Sequence, residues 1–479
     1  MRIFFALSQP TLLRHFVDVV LELTRRGHEV IVCASDRGQL PSQLVGVPGL
    51  SRIIGPEIRS DAWQHHITIV RTARDYLRYR HAEFEGATKL RARALRLFVK
   101  AMTHEAQTHA KAKCPACRHK VRDDELIAMM LEGFGRDSSL EALETLLTLV
   151  ESSVPPDPEL TAFLAGQRAD VVLVTPLVTL GSGQPDLVKC ARHLGIPVLY
   201  PVFSWDNLST KGVIHVQPDA LIVWNDVQVE EAVRMHGVPR ERVFAVGAPR
   251  FDRFLALPVA ESRAALCARH GLDPSRPILA YVCSSELIAD AEPAFVREWI
   301  TAVRSDERVA NCGIVIRPHP RAVEGWEAFD RTPWSHVAVG MPTSVDGDQS
   351  LRDLCEHASA VIGLNTSAEL EAGLIGRPVL SVLAPDARDG QQGTLHFGYL
   401  LKEQGGFVEL GRTMAEHLDQ LSAVVNGQVD HDAIRGFMER FVRPAGWSTP
   451  VSPLVADTIE RLARVPSMPA HGPAPQAIG

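Results

Sequence analysis

The stretch from Gly363 to Leu383 restricts the fold of this chain more than any other: Gly-Leu-Asn-Thr-Ser-Ala-Glu-Leu-Glu-Ala-Gly-Leu-Ile-Gly-Arg-Pro-Val-Leu-Ser-Val-Leu. It predicts an apolar strand ending at Leu364, a loop of small polar residues, a helix to Ile375 and a second strand from Val379. A strand, helix and strand joined this tightly form a right-handed parallel unit. Small residues ahead of a helix start leave free backbone N–H groups and the positive end of the helix dipole, an arrangement that suits a phosphate. Asn365, Thr366 and Ser367 are therefore candidates to hold phosphate oxygens. One turn further on, Glu369 and Glu371 are candidates to accept hydrogen bonds from ribose hydroxyls. The same residues also fit an ordinary N-cap with a capping-box acid, and the stretch by itself leaves both readings open.

The stretch resembles the nucleotide-binding unit of GT-B glycosyltransferases and of their relatives, the UDP-N-acetylglucosamine 2-epimerases, and Gly376-Arg-Pro-Val379 matches that pattern as well. The resemblance implies that the loop takes the nucleotide phosphates and that Glu371 takes the ribose.

At 479 residues the chain is too long for a single hydrophobic core, and its 46% hydrophobic content supplies ample material to bury. A net charge of -7 argues against a general nucleic-acid binder, which needs a basic surface. No run approaches the roughly 18 apolar residues of a membrane span. The opening Met-Arg-Ile-Phe-Phe-Ala-Leu is too short for a signal peptide, so a cytoplasmic location is expected. Eight scattered cysteines imply no disulfide framework. Cys114-Pro-Ala-Cys117 has zinc-knuckle spacing, with His104, His109 and His119 nearby, but no second pair follows; zinc is not expected there, nor any other metal or cofactor.

Arg2 to Ser8 reads as a buried strand, and Leu13, Phe16, Val17, Val20 and Leu21 as the inner face of the first helix. Its Arg-Gly-His-Glu-Val stop, from Arg26 to Val30, resembles the amino terminus of GT-B glycosyltransferases. Residues 60 to 152 read as mostly helical. Between Arg71 and Lys100 nine basic residues face three acids, which predicts a solvated helix face or a surface for an anionic membrane or acceptor.

Strand and helix alternate again from Ala169. The strand at Pro197 to Val202 runs into Phe203-Ser-Trp-Asp-Asn-Leu-Ser-Thr-Lys-Gly212. Polar groups at the carboxyl end of a parallel strand face the ligand crevice. Asp206 is thus a candidate base toward an acceptor hydroxyl, and Trp205, Asn207 and Lys211 are candidate sugar or acceptor contacts; an Asp-Asn turn is the alternative. This run, with Asp75-Tyr-Leu-Arg-Tyr79 and Gly393-Thr-Leu-His-Phe397, looks like a bacterial family linked with surface-polysaccharide biosynthesis.

Val246-Gly-Ala-Pro-Arg-Phe-Asp252 is similar to the interdomain linker of teichoic-acid-type glycerophosphotransferases. Beyond it a second doubly wound domain opens with a strand that runs into Ser284 and Ser285, another phosphate-facing loop. Gly313-Ile-Val-Ile-Arg-Pro-His-Pro320 resembles the His-Pro motif of capsule and teichoic-acid polymerases, which implies that Arg317 and His319 face the donor phosphate; capping a neighbouring helix is the alternative. His396, in Gln391 to His396, is expected at the rim of the crevice, where sugar hydroxyls are read. Asp346-Gly-Asp348 has metal-site spacing and also reads as a turn.

Together these features predict an α/β protein of GT-B architecture. Residues 1–255 form an acceptor-side Rossmann-like domain with a helical insert at about 60–152, and 256–450 a donor-binding Rossmann-like domain, facing a central cleft. A helix at 451–465 packs back on the first domain, and 466–479 form a disordered tail. The expected function is metal-independent transfer of a sugar or polyol phosphate from a nucleotide-activated donor to a glycan or lipid-linked precursor of a surface polysaccharide such as capsule. Catalysis falls to Asp206 and His319. The alternatives are a nucleotide-sugar 2-epimerase and a non-catalytic nucleotide-binding subunit. Nucleic acid is not an expected partner, and peripheral contact with the inner face of the membrane is.

Overall fold

A computed structural model describes residues 1–34, 38–56, 59, 61–111, 140–285, 288, 289, 291–320, 322–342 and 347–467. Cys114, Cys117, His119, Asp346 and most of the expected tail lie outside the described residues, as do the side chains of His104 and His109.

The chain folds as two compact units. Met1–Arg250 and the segment from Arg443 onward form the first, and Phe251–Val442 the second. Each is built on one parallel sheet. The first sheet holds β1 (Arg2–Leu7), β2 (Glu29–Ala34), β3 (Leu50–Ile54), β4 (Val171–Thr175), β5 (Val198–Pro201), β6 (Ala220–Val223) and β7 (Val243–Ala245), in the order β3-β2-β1-β4-β5-β6-β7. The second holds β8 (Ile278–Val282), β9 (Gly313–Arg317), β10 (Val337–Val339), β11 (Ala360–Gly363), β12 (Val379–Val382) and β13 (Val408–Gly411), in the order β10-β9-β8-β11-β12-β13. The central strands are apolar runs because parallel strands covered by helices on both faces present both sides to a core: β1, β4, β8 and β9 are buried almost from end to end.

Strand order reverses between β1 and β4 in the first sheet and between β8 and β11 in the second. A switch point of this kind parts the loops above it and opens a crevice at the carboxyl ends of the strands. In the second sheet Gly363 is level with Val282, so Ser284 and Asn365 leave the sheet side by side.

The helical insert departs from its expected role. Helices Trp63–Arg78 and Leu140–Ser153 pack together, and the cations between residues 71 and 100 largely turn inward; of the nine, only Arg96 and Lys100 are exposed. Arg71 is 2% exposed and pairs with Glu151 (2.9 Å) and Asp186 (2.6 Å), while Lys189 adds a 2.8 Å bridge to the same Glu151. Burial of these charges demands pairing, and the network supplies it. Around Arg71 the solvated helix face read from composition is therefore corrected to an internal ion-pair network.

Helix Val451–Leu462 buries Val451, Val455, Ala456 and Ile459 in the same core cluster as Leu13, Val17 and Val20. Arg26 reaches Asp457 at 2.6 Å and His28 reaches Glu460 at 2.7 Å.

Candidate functional site

Two loop clusters stand at the carboxyl ends of the sheets, one in each unit. In the second unit Asn365 leaves β11 with φ 97°, a left-handed conformation that Asn tolerates better than most residues. Its N–H donates to Glu369 Oε1 (3.1 Å), and its side-chain Nδ2 is shared among the Gly390 carbonyl (2.7 Å), Thr394 Oγ1 (3.1 Å) and His396 Nε2 (3.2 Å). The side-chain donors are thus committed, so the Asn365 amide group shapes the loop. Thr366 caps helix Ser367–Leu374 with extended backbone and no side-chain cap bond, and Ser367 is exposed. By the geometry of a helix start the first-turn N–H groups of Ser367 and Ala368 lack intrahelical acceptors. Gly363 is required here: a Cβ would stand 2.5 Å from Glu369 Oε1.

His396 does not occupy a rim. It is 4% exposed and stands behind Asn365, and Gln391, fully buried, donates to the Val382 carbonyl (2.9 Å) and accepts from Ala384 N–H (3.1 Å). The segment that was expected to read sugar hydroxyls instead buttresses the loop after β11. The physical reason is an inward fold: a Cβ at Gly390 would sit 2.6 Å from Ile288 Cα, so the loop lies directly on the one that follows β8.

That loop contains Ser284, 1% exposed, and Ser285, half-buried. Ser284 N–H donates to both carboxyl oxygens of Glu292 (3.1 and 2.9 Å), and its Oγ has no hydrogen-bond partner among the described residues. Burial raises the pKa of Glu292 to about 8 and that of Glu369 to about 7.

At the end of β9, Arg317 donates to the Gly347 carbonyl (2.6 Å) and Ser350 Oγ (3.0 Å), both in the first turn of helix Gly347–His357. The helix contact expected as one reading of this arginine is therefore present. Glu371 is the strongest electrostatic neighbour of Arg317, although burial still lowers the pKa of the guanidinium. Glu371 itself is 3% exposed, and His319 is half-buried one step beyond.

In the first unit, Asp206 follows β5 at the foot of a short helix, Asn207–Thr210. Its Oδ1 accepts from Ser204 Oγ (2.5 Å), and its Oδ2 from Thr210 Oγ1 (3.0 Å) and Lys211 Nζ (3.3 Å). Lys211 and Asp206 are both partly exposed, so this pair is reachable. Trp205 and Asn207 are not: at 4% and 0% exposure they are packed inward, which corrects their reading as an aromatic platform and an open amide.

A turn of helix Trp63–Arg78 and the residue after it clamp the Asp206 loop from below. Arg78 donates to the carbonyls of Gly212 (2.7 Å) and Leu208, and the Tyr79 hydroxyl donates to the Lys211 carbonyl (2.6 Å). Asp75, 1% exposed, accepts from Val213 N–H (2.9 Å) and Gly181 N–H (3.3 Å) and lies 3.1 Å from His215 Nε2. His236 accepts from Ile214 N–H at Nδ1 (3.1 Å), so Nε2 carries the proton and donates to the Leu208 carbonyl (2.8 Å). Burial, and then Arg78, hold its pKa well below the usual histidine value. The two runs singled out in the sequence, Asp75 to Tyr79 and Ser204 to Gly212, are thus two halves of one contact. Glu292 was missed in the sequence; its only signal is a place at a helix start ahead of Pro293. Among the described residues no group of three His, Cys, Asp or Glu side chains is placed to hold a metal ion.

Two seven- and six-stranded parallel sheets with a switch point in each define a GT-B fold of two Rossmann-like domains. Solved structures agree. The UDP-GlcNAc 2-epimerase from Neisseria meningitidis, bound to UDP-GlcNAc, matches over 96% of this chain and 100% of its own, with TM-score 0.52 and 12% identity. The UDP-GlcNAc 2-epimerase from Methanocaldococcus jannaschii matches over the same shares with TM-score 0.52 and 11% identity. A glycosyltransferase from Rickettsia africae matches over 97% of this chain and 98% of its own, with TM-score 0.51 and 7% identity. No protein-family model and no curated protein sequence matches the chain.

Proposed function

We propose that the protein is a nucleotide-sugar-dependent glycosyltransferase that moves a sugar, or a polyol phosphate, from an activated donor to a surface-polysaccharide precursor. The observation that carries this reading is the convergence in the second unit of two loops, after β8 and β11, beside Arg317 and His319 at the end of β9 and Glu371 in the helix after β11. The N–H groups opening helix Ser367–Leu374, with the hydroxyls of Ser284, Ser285, Thr366 and Ser367, suit diphosphate oxygens. Glu371 suits ribose hydroxyls. Arg317 and His319 supply positive charge toward a departing nucleotide, so this reading calls for no metal.

In the first unit Asp206 is assigned as base toward an acceptor hydroxyl, with Lys211 as its partner, because the pair is reachable at the carboxyl end of β5. A cytoplasmic location with peripheral contact at the inner membrane face goes with this chemistry.

A thermal-shift panel of nucleoside mono- and diphosphates tests the donor site, since a ligand that binds the folded state raises its melting temperature. Incubation with UDP-GlcNAc, the ligand named for the Neisseria meningitidis structure, and with other nucleotide sugars then tests the reaction. Transfer predicts nucleotide release that depends on a glycan acceptor. Conversion of the sugar alone makes the protein an epimerase, and binding without turnover for any acceptor makes it a non-catalytic subunit. No stabilisation by any nucleotide overturns all three readings.

A further inference from the structure

We propose that Glu292 and Glu369 act as paired positioning residues whose joint charge sets how tightly the loops after β8 and β11 hold a diphosphate. The proposal rests on the nucleotide reading of those loops. Glu292 lies in the first turn of helix Glu292–Ser305 and accepts from Ser284 N–H (3.1 and 2.9 Å) and from the Tyr281 hydroxyl (3.2 Å). Glu369 accepts from Asn365 N–H (3.1 Å). Each carboxyl therefore holds a backbone N–H two residues past the end of its strand, and the two loops leave adjacent strands at the switch point. Glu292 is 4% exposed and Glu369 is fully buried.

Two buried polar atoms in this cluster, Ser284 Oγ and Asn365 Oδ1, have no hydrogen-bond partner among the described residues, and the Thr366 N–H lies near enough to add to the Glu369 carboxyl's bonds. Buried polar atoms are nearly always satisfied, so Ser284 Oγ and Asn365 Oδ1, one in each of two converging loops, point to a ligand there.

Besides the two carboxyls, His319 after β9 can lose positive charge over part of the pH range tested below, and the Gln variants separate its share from theirs. From β8, burial pushes the Tyr281 hydroxyl and the Cys283 thiol well above their usual values, so both stay neutral. His417, beneath Trp299, is lowered to about 4 by burial and is also neutral. His396 accepts from Asn365, and Arg317, from β9, is drawn first to Glu371. Desolvation lifts Glu292 to about 8, with the Glu369 charge adding to the rise, and lifts Glu369 to about 7.

Below about pH 7 both carboxyls are therefore mainly neutral and release the loop N–H groups for an anion. As the pH rises through 7 to 8 they ionise, grip the same N–H groups with stronger charge-assisted bonds and set negative charge beneath the phosphate. Affinity for a diphosphate falls with rising pH.

Titration calorimetry of the full chain with UDP-GlcNAc between pH 6 and 8.5, at fixed ionic strength, tests this, because the esterified diphosphate does not titrate in that window. The wild type should lose affinity by about tenfold or more across it, the size of a Coulomb term at partly buried sites. Glu292→Gln keeps the shape without the charge and should flatten the profile while retaining tight binding at pH 8.5, and Glu369→Gln should do the same. Tyr281→Phe keeps both carboxyls but removes a bond that favours the charged form of Glu292, and should move the midpoint to higher pH. Measurable binding with a flat wild-type profile, or Gln variants that keep the wild-type slope, would overturn the proposal alone. Absence of binding at every pH would overturn the nucleotide reading with it.

Discussion

Gly212→Ala is the substitution whose cost follows most directly from the coordinates. A Cβ at residue 212 would lie 2.7 Å from Asp75 Cγ and 2.9 Å from its Oδ2, and closer still to Oδ1. Ordinary contact needs at least 3.4 Å, so Asp75 must retreat by the better part of an ångström. It is held in place by Val213 N–H, Gly181 N–H and His215, and any retreat strains those bonds. Overpacking a tight site costs about 1–3 kcal/mol, and loosening one hydrogen bond to a buried charge adds about 1.5 kcal/mol or more. A loss of about 3 kcal/mol is expected, which lowers the melting temperature of the first unit by roughly 5 °C. Differential scanning calorimetry resolves this, and the second unit's transition should not move. Because the clash and the carboxylate are the same event, Asp75→Ala with Gly212→Ala should cost no more than Asp75→Ala alone. Additive costs, or a single variant that melts within a degree of the parent, would refute the clamp.

Three further outcomes are expected. Glu371→Ala should weaken nucleotide binding by about 1–3 kcal/mol in calorimetry without lowering the melting temperature by a similar amount; unchanged affinity removes Glu371 from the ribose role. Asp206→Asn should reduce transfer about 100- to 10,000-fold with little change in donor affinity, whereas near-parental transfer excludes a general-base role. Glu292 has a folded pKa raised from 4.5 to about 8, so its contribution to stability is present in full below about 4.5 and is lost as the pH rises toward 8. The second unit should therefore melt progressively earlier from pH 5 to 8, by an amount on the order of 3 kcal/mol, and Glu292→Gln should reduce that slope; an unchanged slope contradicts the raised pKa.

The fold was readable because buried parallel strands are apolar on both faces. Runs such as Ile278 to Val282 and Gly313 to Arg317 signal themselves without reference to partners, and the polar residues after them mark the carboxyl ends. The charged helix Trp63–Arg78 was not readable in the same way. Arg71, Asp75 and Arg78 have the spacing and polarity of a solvent face, and only tertiary contacts reveal that backbone carbonyls, N–H groups and acids wait to receive them. His396 fails for the same reason, since a polar side chain near a strand end is equally suited to holding a loop and to touching a ligand. Arg317 shows the limit most plainly: both of its readings were in the sequence, and the helix it touches, through Gly347 and Ser350, lies about thirty residues away along the chain.

Hydrogen exchange of the full chain with and without UDP-GlcNAc tests the central claim most directly, because it reports where a nucleotide sugar sits without requiring an acceptor. The account predicts slowed exchange at Ser284 and Ser285 and across residues 365–371 in the second unit, with that protection lost in Glu371→Ala. Binding that protects only the Asp206 loop and its clamp in the first unit, and leaves 365–371 unchanged, would contradict it.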